Sequence, residues 1–275
     1  MSLLATHLYR GSRRVDALDP ADRGLAYGDG VFETVLVHAQ RAVWWPQHRA
    51  RLAQGAARLG IPGPEPAWLD QAVADLLTRA PHRAVLKLVY TRGPAGRGYA
   101  SPALPEPSLV LALHPAPAPQ VAPLALRWCE TRLAIQPALA GIKHLNRLEQ
   151  VLARAEWRDD SAQEGLMLDG EGKVACAISA NVFARFGGRW LTPSLARCGV
   201  AGIARAWVLA QDAGAGLAEM TREQLQSADA LFLCNAVRGI LPVASLGGRH
   251  WPADPAVAAL QARLALAEPA FDTGS

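Results

Sequence analysis

Lysine is nearly absent from this sequence. Of 28 basic residues only Lys87, Lys143 and Lys173 are lysines, and the other 25 are arginines scattered without a run. Chemistry that needs a side-chain amine therefore has three candidates. The scatter also argues against nucleic acid, whose binders gather basic residues into a stripe with aromatics between them. Aromatics make up only 6% of the chain, and the net charge is only +4. Cysteine is sparse too. Cys129, Cys176, Cys198 and Cys234 show no C-x-x-C spacing and no histidine at ligand spacing. That pattern excludes a zinc motif and a disulfide framework, and no metal site is expected. The four read as small buried thiols.

Long apolar runs are missing as well. No window approaches the ~18 uninterrupted apolar residues of a membrane span, and mean hydropathy is +0.08. The opening MSLLATHLYRGSRR places its basic residues after a very short apolar stretch, the reverse of a secretory signal. The expectation is a cytoplasmic chain with no membrane partner. With 51% hydrophobic and 19% charged residues, the composition is that of a folded protein and not a disordered one.

What is present is room for two domains: 275 residues, at ~100–200 residues per domain. The alternating prolines of HPAPAPQVAP, His114–Pro123, read as a stiff extended linker. The expected division is residues 1–114, a linker at 115–123, and residues 124–275. In the first part, Val31–Val37 and Ala42–Trp45 read as a hairpin turning at His38–Arg41, followed by a helix after Pro46 that Gly60 and Pro62 stop. Trp68–Arg79 reads as a second helix. Ala84–Tyr90 and Leu109–Leu113 read as strands around a Gly/Pro-rich loop too polar to bury. In the second part, strands are expected at Leu124–Glu130, Glu164–Leu168, Val174–Ile178, Val182–Phe186, Arg189–Leu191 and Ala228–Asn235. Helices are expected from about Leu145, from Val200 to Ala210, and from Pro255 to Ala267, the last capped by Asp254. In the first of these, Leu145, Leu148, Leu152 and Ala155 share a face. The fold class is α/β of the α+β kind, with a small N-terminal α+β domain and a larger, β-rich C-terminal α/β domain.

Two segments invite chemistry. Lys143 sits in GIKHLNRLEQ, just before the expected helix start, where the positive end of the helix lowers the pKa of an amine. A depressed lysine suits Schiff-base or general-base work. Lys87, inside a strand, and Lys173, in a turn, read as solvated. The second segment is GVAGIAR, Gly199–Arg205, a glycine-bearing loop leading into a helix, whose free N–H groups suit an anion.

The order of the pieces adds a resemblance. DRGLAYGDGVFET (Asp22–Thr34), HRARL (His48–Leu52), GIKHLNRLEQVLAR (Gly141–Arg154), SAN followed by VF (Ser179–Phe183), GVAGIAR and CNA (Cys234–Ala236) occur in one order from about residue 20 to 245. Together they resemble the class IV, fold-type IV, pyridoxal-phosphate enzymes, which include branched-chain and D-amino-acid aminotransferases and aminodeoxychorismate lyases. RGPAGRGY (Arg92–Tyr99) and the long lysine segment are more similar to the lyases. The resemblance implies conversion of 4-amino-4-deoxychorismate to 4-aminobenzoate and pyruvate, for folate synthesis. It also implies a homodimer, and pyridoxal 5'-phosphate held between two domains. An aminotransferase of the same group and a non-catalytic relative are the alternatives.

By the same resemblance, Lys143 is the catalytic lysine joined covalently to the cofactor. Arg51 takes the cofactor phosphate together with the amides of Gly202 and Ile203, and Asn235 is a further cofactor contact. Arg97 and Tyr99, with Arg92 behind them, are candidates for the substrate's two carboxylates. Tyr27 and Asp29 shape the pocket. His144 orients the lysine or touches substrate, and Asn146 caps the following helix. One departure stands out. Aligned on Asn181, Cys176 occupies the position where the family carries a glutamate against the pyridine nitrogen of the cofactor. A neutral thiol does not stabilise a protonated ring as a carboxylate does.

Overall fold

The computed structural model describes residues 3–159, 161–211 and 214–272. Contacts divide the chain into two units, Met1–Pro117 with Ile142–Asn146, and Ala118–Gly141 with Arg147–Ser275. The short stretch around Lys143 thus belongs with the first unit, although sequence order sets it beyond the proline-rich segment.

The first unit is a six-stranded antiparallel sheet. Its strands are β1 (Ala5–Arg10), β2 (Arg13–Val15), β3 (Gly30–His38), β4 (Arg41–Ala42), β5 (Arg83–Thr91) and β6 (Ser108–Pro115), in the order β2-β1-β6-β5-β3-β4. Strand alternation explains its core. Val31 pairs with Tyr90 and Val35 with Leu86, and these pair in turn with Leu109 and Leu113. All are buried in one cluster with Leu52 and Ala56 of α2 (Trp45–Arg58) and Leu69, Val73 and Leu76 of α3 (Pro66–Leu77). A fully buried leucine in such a cluster contributes roughly 1.5–3 kcal/mol. The other face of β3 carries Phe32 and Thr34, both half-buried.

The expected second strand of the hairpin is cut short. It covers only Arg41–Ala42, and Trp45 is already helical. Trp44 turns left-handed at φ 54°, and Pro46, whose ring fixes φ, lies in the first helical turn. A one-turn helix, α1 (Arg23–Tyr27), comes just before β3. Asp22 caps it by accepting from the Gly24 N–H, and Gly28 ends it.

The edge of β3 is shared. β4 covers its far end, while an extended stretch at Lys143–Leu145 covers the near end. There Phe32 N donates to Lys143 O at 2.9 Å and Leu145 N donates to Gly30 O at 3.0 Å. His144 bridges Val31 across this edge.

The second unit is a nine-stranded mixed sheet. Its strands are β7 (Leu124–Trp128), β8 (Glu164–Leu168), β9 (Val174–Ala177), β10 (Asn181–Phe186), β11 (Arg189–Pro193), β12 (Gly216–Ala218), β13 (Ala230–Asn235), β14 (Gly239–Leu246) and β15 (Arg249–His250). They run in the order β12-β11-β10-β13-β14-β7-β8-β9, with β15 on β14. The helices are α4 (Leu148–Ala155), α5 (Ile203–Gln211), α6 (Arg222–Gln226) and α7 (Pro255–Ala267). Asp254 caps α7 by accepting from the Ala256 N–H, as its sequence predicts. None of the described helices is long and apolar enough to cross a membrane.

The largest correction concerns α4. It starts at Leu148, not Leu145, because the residues before it are taken up by pairing with β3. Its apolar stripe is not packed. Only Ala153 is buried, and Leu148, Val151 and Leu152 are 76%, 60% and 60% exposed.

Candidate active site

Lys143 lies in extended backbone against β3, and α4 begins five residues later. A helix dipole falls off within about a turn, so it does not supply the electrostatics first expected. The Lys143 Nζ stands 4.3 Å from the centroid of the Phe32 ring. This is cation–π distance, and it places the amine on an apolar surface. His144 follows Lys143 in the same extended stretch, so the two side chains leave toward opposite faces. That makes His144 part of the strand edge and not a neighbour of the amine on its own face.

On the inward face of β3, Glu33 joins two residues of α2. Arg51 donates from Nε to Glu33 Oε1 at 2.8 Å and from Nη2 to Oε2 at 2.5 Å, and His48 Nδ1 contacts Oε2 at 2.6 Å. The H-x-x-R spacing sets both side chains one turn apart on the same helix face. Burial alone would raise the carboxyl pKa, but the Arg51 and His48 hydrogen bonds outweigh it and hold Glu33 below its ordinary value. Burial pushes His48 down, so its ring is neutral, and its Nε2 meets no partner among the described residues. Arg51, 14% exposed, is held as a fixed fork. Sequence reading named Arg51 as a candidate and did not single out Glu33, which lies inside the VFETVLV strand pattern.

A second ion cluster organises the turn before β3. Asp29 Oδ2 accepts from both Arg23 Nε and Arg92 Nε at 2.8 Å, and Oδ1 accepts from Arg92 Nη2 at 3.1 Å. Arg92 also donates to the carbonyls of Gly60 and Leu59. Its guanidinium is buried and committed, so the structure makes it a clamp and not the substrate contact expected. Arg23, which the sequence did not single out, donates to the carbonyls of Gly98, Tyr99 and Ala100 and so pins the glycine-rich loop. Tyr27 accepts from the Gly98 N–H at 3.3 Å. The pinned loop presents Arg97 and Tyr99 outward, with Tyr99 87% exposed. Asn146 does not cap α4. Its Nδ2 donates to Gly28 O at 3.1 Å, and a Cβ on Gly28, at φ 65°, would come within 2.6 Å of its Oδ1.

In the second unit the candidate anion site is built from backbone amides and an asparagine. Asn181 Nδ2 donates to Val200 O at 3.0 Å, and a Cβ on Gly202 would fall 2.0 Å from Asn181 Oδ1. Only glycine fits there. The asparagine of SAN thereby sets the backbone of GVAGIAR as it enters α5 at Ile203. The first N–H groups of a helix have no intrahelical partner and carry its positive end, which suits the amides of Gly202 and Ile203 to an anion. Asn235 has another task. Its Oδ1 accepts from Val237 N and Arg238 N, and its Nδ2 donates to Ser179 O, so its amide holds a turn.

Cys176 is buried, 7% exposed, in an apolar cluster with Cys129, Met167, Ala175 and Cys198. Burial lifts its thiol to about 12, with Cys198 adding to the rise and the charge of Arg147 opposing it. A carboxylate that sequence reading missed lies on β8: Glu164 is buried, accepts from the Ser179 hydroxyl and the Gly165 N–H, and has its pKa raised by burial.

The amino-transferase class IV family model matches residues 30–246. An aminodeoxychorismate lyase of Vibrio harveyi is 34% identical over 254 residues, covering 88% of this chain and 92% of the relative. A putative branched-chain-amino-acid aminotransferase of Methanocaldococcus jannaschii is 29% identical over 255 residues, 88% of each protein. The crystal structure of 4-amino-4-deoxychorismate lyase from Pseudomonas aeruginosa superposes with a TM-score of 0.86 at 41% identity, covering 94% of this chain and 98% of that one. The chain belongs to the class IV aminotransferase family.

Proposed function

We infer that this chain is a cytoplasmic, homodimeric aminodeoxychorismate lyase that converts 4-amino-4-deoxychorismate to 4-aminobenzoate and pyruvate with pyridoxal 5'-phosphate. The observation that carries the reading is the 41% identity to the Pseudomonas lyase over 94% of this chain.

The residues fit the cofactor. Glu33 holds Arg51 through Nε and Nη2, and we assign the guanidinium so aimed to the cofactor phosphate. The Gly202–Ile203 amides, fixed where a side chain would collide with Asn181, suit an anion too. Lys143 offers an amine that lies on an aromatic face in electrostatic contact with the buried His48. Asn235 and Arg92 are committed elsewhere, and we assign Cys176 to the side of the ring nitrogen by the family resemblance.

Bound pyridoxal phosphate withdraws electrons from the carbon that bears the substrate amine. The work of this chain is then proton handling and positioning. Lys143 Nζ takes the proton from that carbon as the ether C–O bond to the enolpyruvyl group breaks. It returns the proton to the departing enolpyruvate, which becomes pyruvate while the ring becomes aromatic. Arg97 and Tyr99, on the loop that Arg23 pins, are assigned to substrate carboxylates. Tyr27 positions that loop and His144 positions the lysine strand. The exposed stripe of α4, Leu148, Val151 and Leu152, is the surface we assign to a second copy.

The test is release of pyruvate and 4-aminobenzoate by purified protein supplied with pyridoxal phosphate. Lys143→Ala abolishes both products and the visible cofactor band; activity within tenfold of wild type overturns the assignment. The aminotransferase reading, which the 29% identical archaeal relative favours, is separated by adding an amino acid alone. A transaminase converts its cofactor to the pyridoxamine form, whereas a lyase does so slowly or not at all.

A further inference from the structure

Arg23 is a buried cation that spends most of its donors on main chain. It is 5% exposed, and its Nε is held by Asp29. The two ends of its fork reach across to the glycine-rich loop. Nη1 donates to Gly98 O at 3.0 Å and to Ala100 O at 3.2 Å, and Nη2 donates to Tyr99 O at 3.1 Å. Three successive carbonyls thus converge on one guanidinium, which a pleated, extended chain does not allow. Gly98 supplies the curl, at φ 96°, a conformation that favours glycine. Its N–H is held as well, by Tyr27 Oη at 3.3 Å. The Tyr27 ring centroid lies 4.9 Å from the same guanidinium and 5.5 Å from that of the Tyr99 ring. The other leg of the loop is tied to the same turn: Arg23 N donates to Gly93 O at 3.0 Å, and Ala95 N donates to Ala21 O at 3.3 Å. Between the two sets of ties stand Gly96 and Arg97, both exposed. An exposed loop is therefore held through its backbone by a buried charge, and burying a charge is costly.

We propose that Arg23 is a positioning residue for the substrate, one that sets the Gly98–Ala100 backbone so that Arg97 and Tyr99 meet the substrate carboxylates in one fixed arrangement. The inference rests on the lyase reading, in which those two side chains take the carboxylates. Arg97 and Tyr99 flank Gly98. Fixing both the N–H and the carbonyl of Gly98, with the next two carbonyls, fixes where both side chains leave the chain. A glycine-rich loop left free would have to be ordered when substrate binds, and that ordering is subtracted from affinity. A loop ordered beforehand avoids the loss. Lysine cannot do the same work. Its single ammonium has no planar fork that holds a carboxylate at one edge and spans three carbonyls with the rest. The effect falls on substrate affinity, because Asp29 keeps Arg92 as a partner and Arg51 lies on another segment, α2.

The experiment compares wild type with Arg23→Lys and Tyr27→Phe. Arg23→Lys keeps a cation for Asp29 and loses the fork. Tyr27→Phe keeps the ion cluster and loses only the oxygen that accepts from Gly98. Arg23→Lys raises KM for 4-amino-4-deoxychorismate roughly 5–30-fold, the effect of one or two lost hydrogen bonds, with kcat changed much less. Tyr27→Phe raises KM by a smaller factor, and affinity for pyridoxal phosphate stays within about twofold in both. Trypsin supplies a readout apart from turnover. The bond after Arg97 is exposed, but the three residues that follow it are the pinned ones, and a protease needs them released. Cleavage after Arg97, followed by mass spectrometry, rises about tenfold or more in Arg23→Lys and less in Tyr27→Phe, while cleavage after the other arginines is unchanged. An equal rise at every arginine means that Arg23 acts on the whole fold and overturns the proposal. So does a KM within about twofold of wild type, or a cofactor affinity that falls as far as substrate affinity. Where Arg23→Lys does not fold, Tyr27→Phe decides, and no rise after Arg97 in that variant overturns the proposal. If wild type makes no 4-aminobenzoate at all, the lyase reading fails, and cleavage after Arg97 still judges whether Arg23 sets the loop.

Discussion

The two units prepare their parts of the chemistry in opposite ways. The first is built on buried charge: Glu33 between Arg51 and His48, and Asp29 between Arg23 and Arg92. The second presents amides, a thiol and a helix end. In the first unit both carboxylates are paired with arginine before any ligand arrives, and they serve to aim those arginines. In the second unit the aiming is steric, through the asparagine oxygen that only glycine at position 202 can approach. A paired network fails abruptly when one member is removed, because a buried charge is left uncompensated. A steric cradle fails gradually, since atoms shift.

The largest effect should therefore come from Glu33→Ala. It strands Arg51 beside a buried histidine, and breaking a buried ion pair costs about 3–5 kcal/mol. Urea unfolding of the cofactor-free protein should show a loss of that size; a loss below about 1 kcal/mol would mean that solvent already screens the cluster. Acid should single out the same unit. Glu33 and Asp29 are both held below their ordinary values, by Arg51 and His48 and by Arg92 and Arg23, against the opposing effect of burial. Their contribution is complete above the unfolded carboxylate range near ~4 and is lost as pH falls through the lowered folded values. Glu164 in the second unit has a raised value, so its sign is reversed: protonation on acidification relieves its burial. Hydrogen exchange followed from pH 6 to pH 3 should show the β3–α2 amides losing protection before those of β8. The reverse order would break the contrast.

Next in size is Arg51→Ala. A lost charge-assisted phosphate contact is worth about 1.5–3 kcal/mol, or ~10–150-fold in cofactor affinity. Excess pyridoxal phosphate should restore a substantial part of the activity; if it does not, Arg51 has another role. Gly202→Ala tests the second unit at lower cost. Overpacking against Asn181 is worth roughly 1–3 kcal/mol, and Asn181→Ala in the same chain should recover part of the loss. Absence of recovery would show that the loop is held by something other than that contact.

What the sequence made legible follows from range. Period-two patterns such as VFETVLV and punctuation such as Asp254-Pro255 announce local structure, and those elements stand where expected. Motif order singled out Lys143 and Arg51 as candidates because both lie in short contiguous signatures. What stayed hidden depends on partners distant in sequence. Leu148 and Leu152 form an apolar stripe whether or not anything covers them, so the pattern could not tell a packed face from an exposed one. Asn146 looked like a cap until Gly28, 118 residues earlier, turned out to be its partner. Arg92 and Arg23 look alike in sequence to any solvated arginine, and only Asp29 between them reveals that they are buried.

The smallest effect, and the one that cuts closest to the contrast, is expected from Cys176→Glu. The second unit is neutral at the position where the family resemblance implies a carboxylate, and the thiol, lifted to about 12 by burial, stays protonated at any working pH. A glutamate here enters a packed cluster, at a cost of about 1–3 kcal/mol in strain, and needs a countercharge. Arg147, partly buried and in electrostatic contact with Cys176, is placed to supply one. The electron demand of the two candidate reactions then decides the outcome. Elimination from 4-amino-4-deoxychorismate is driven by aromatisation and tolerates a weak electron sink, whereas transamination has no such drive. Cys176→Glu should raise the lyase rate a few-fold and raise amino-acid-dependent formation of pyridoxamine phosphate by a larger factor. Cys176→Gln, of the same shape without the charge, should do neither. If both rates fall in Cys176→Glu while the cofactor remains bound, then either position 176 does not face the ring nitrogen or the surrounding pocket is matched to an uncharged ring. The glutamine variant separates these, because a change in the cofactor band with glutamine places the residue at the ring, whereas an unaltered band removes it from there.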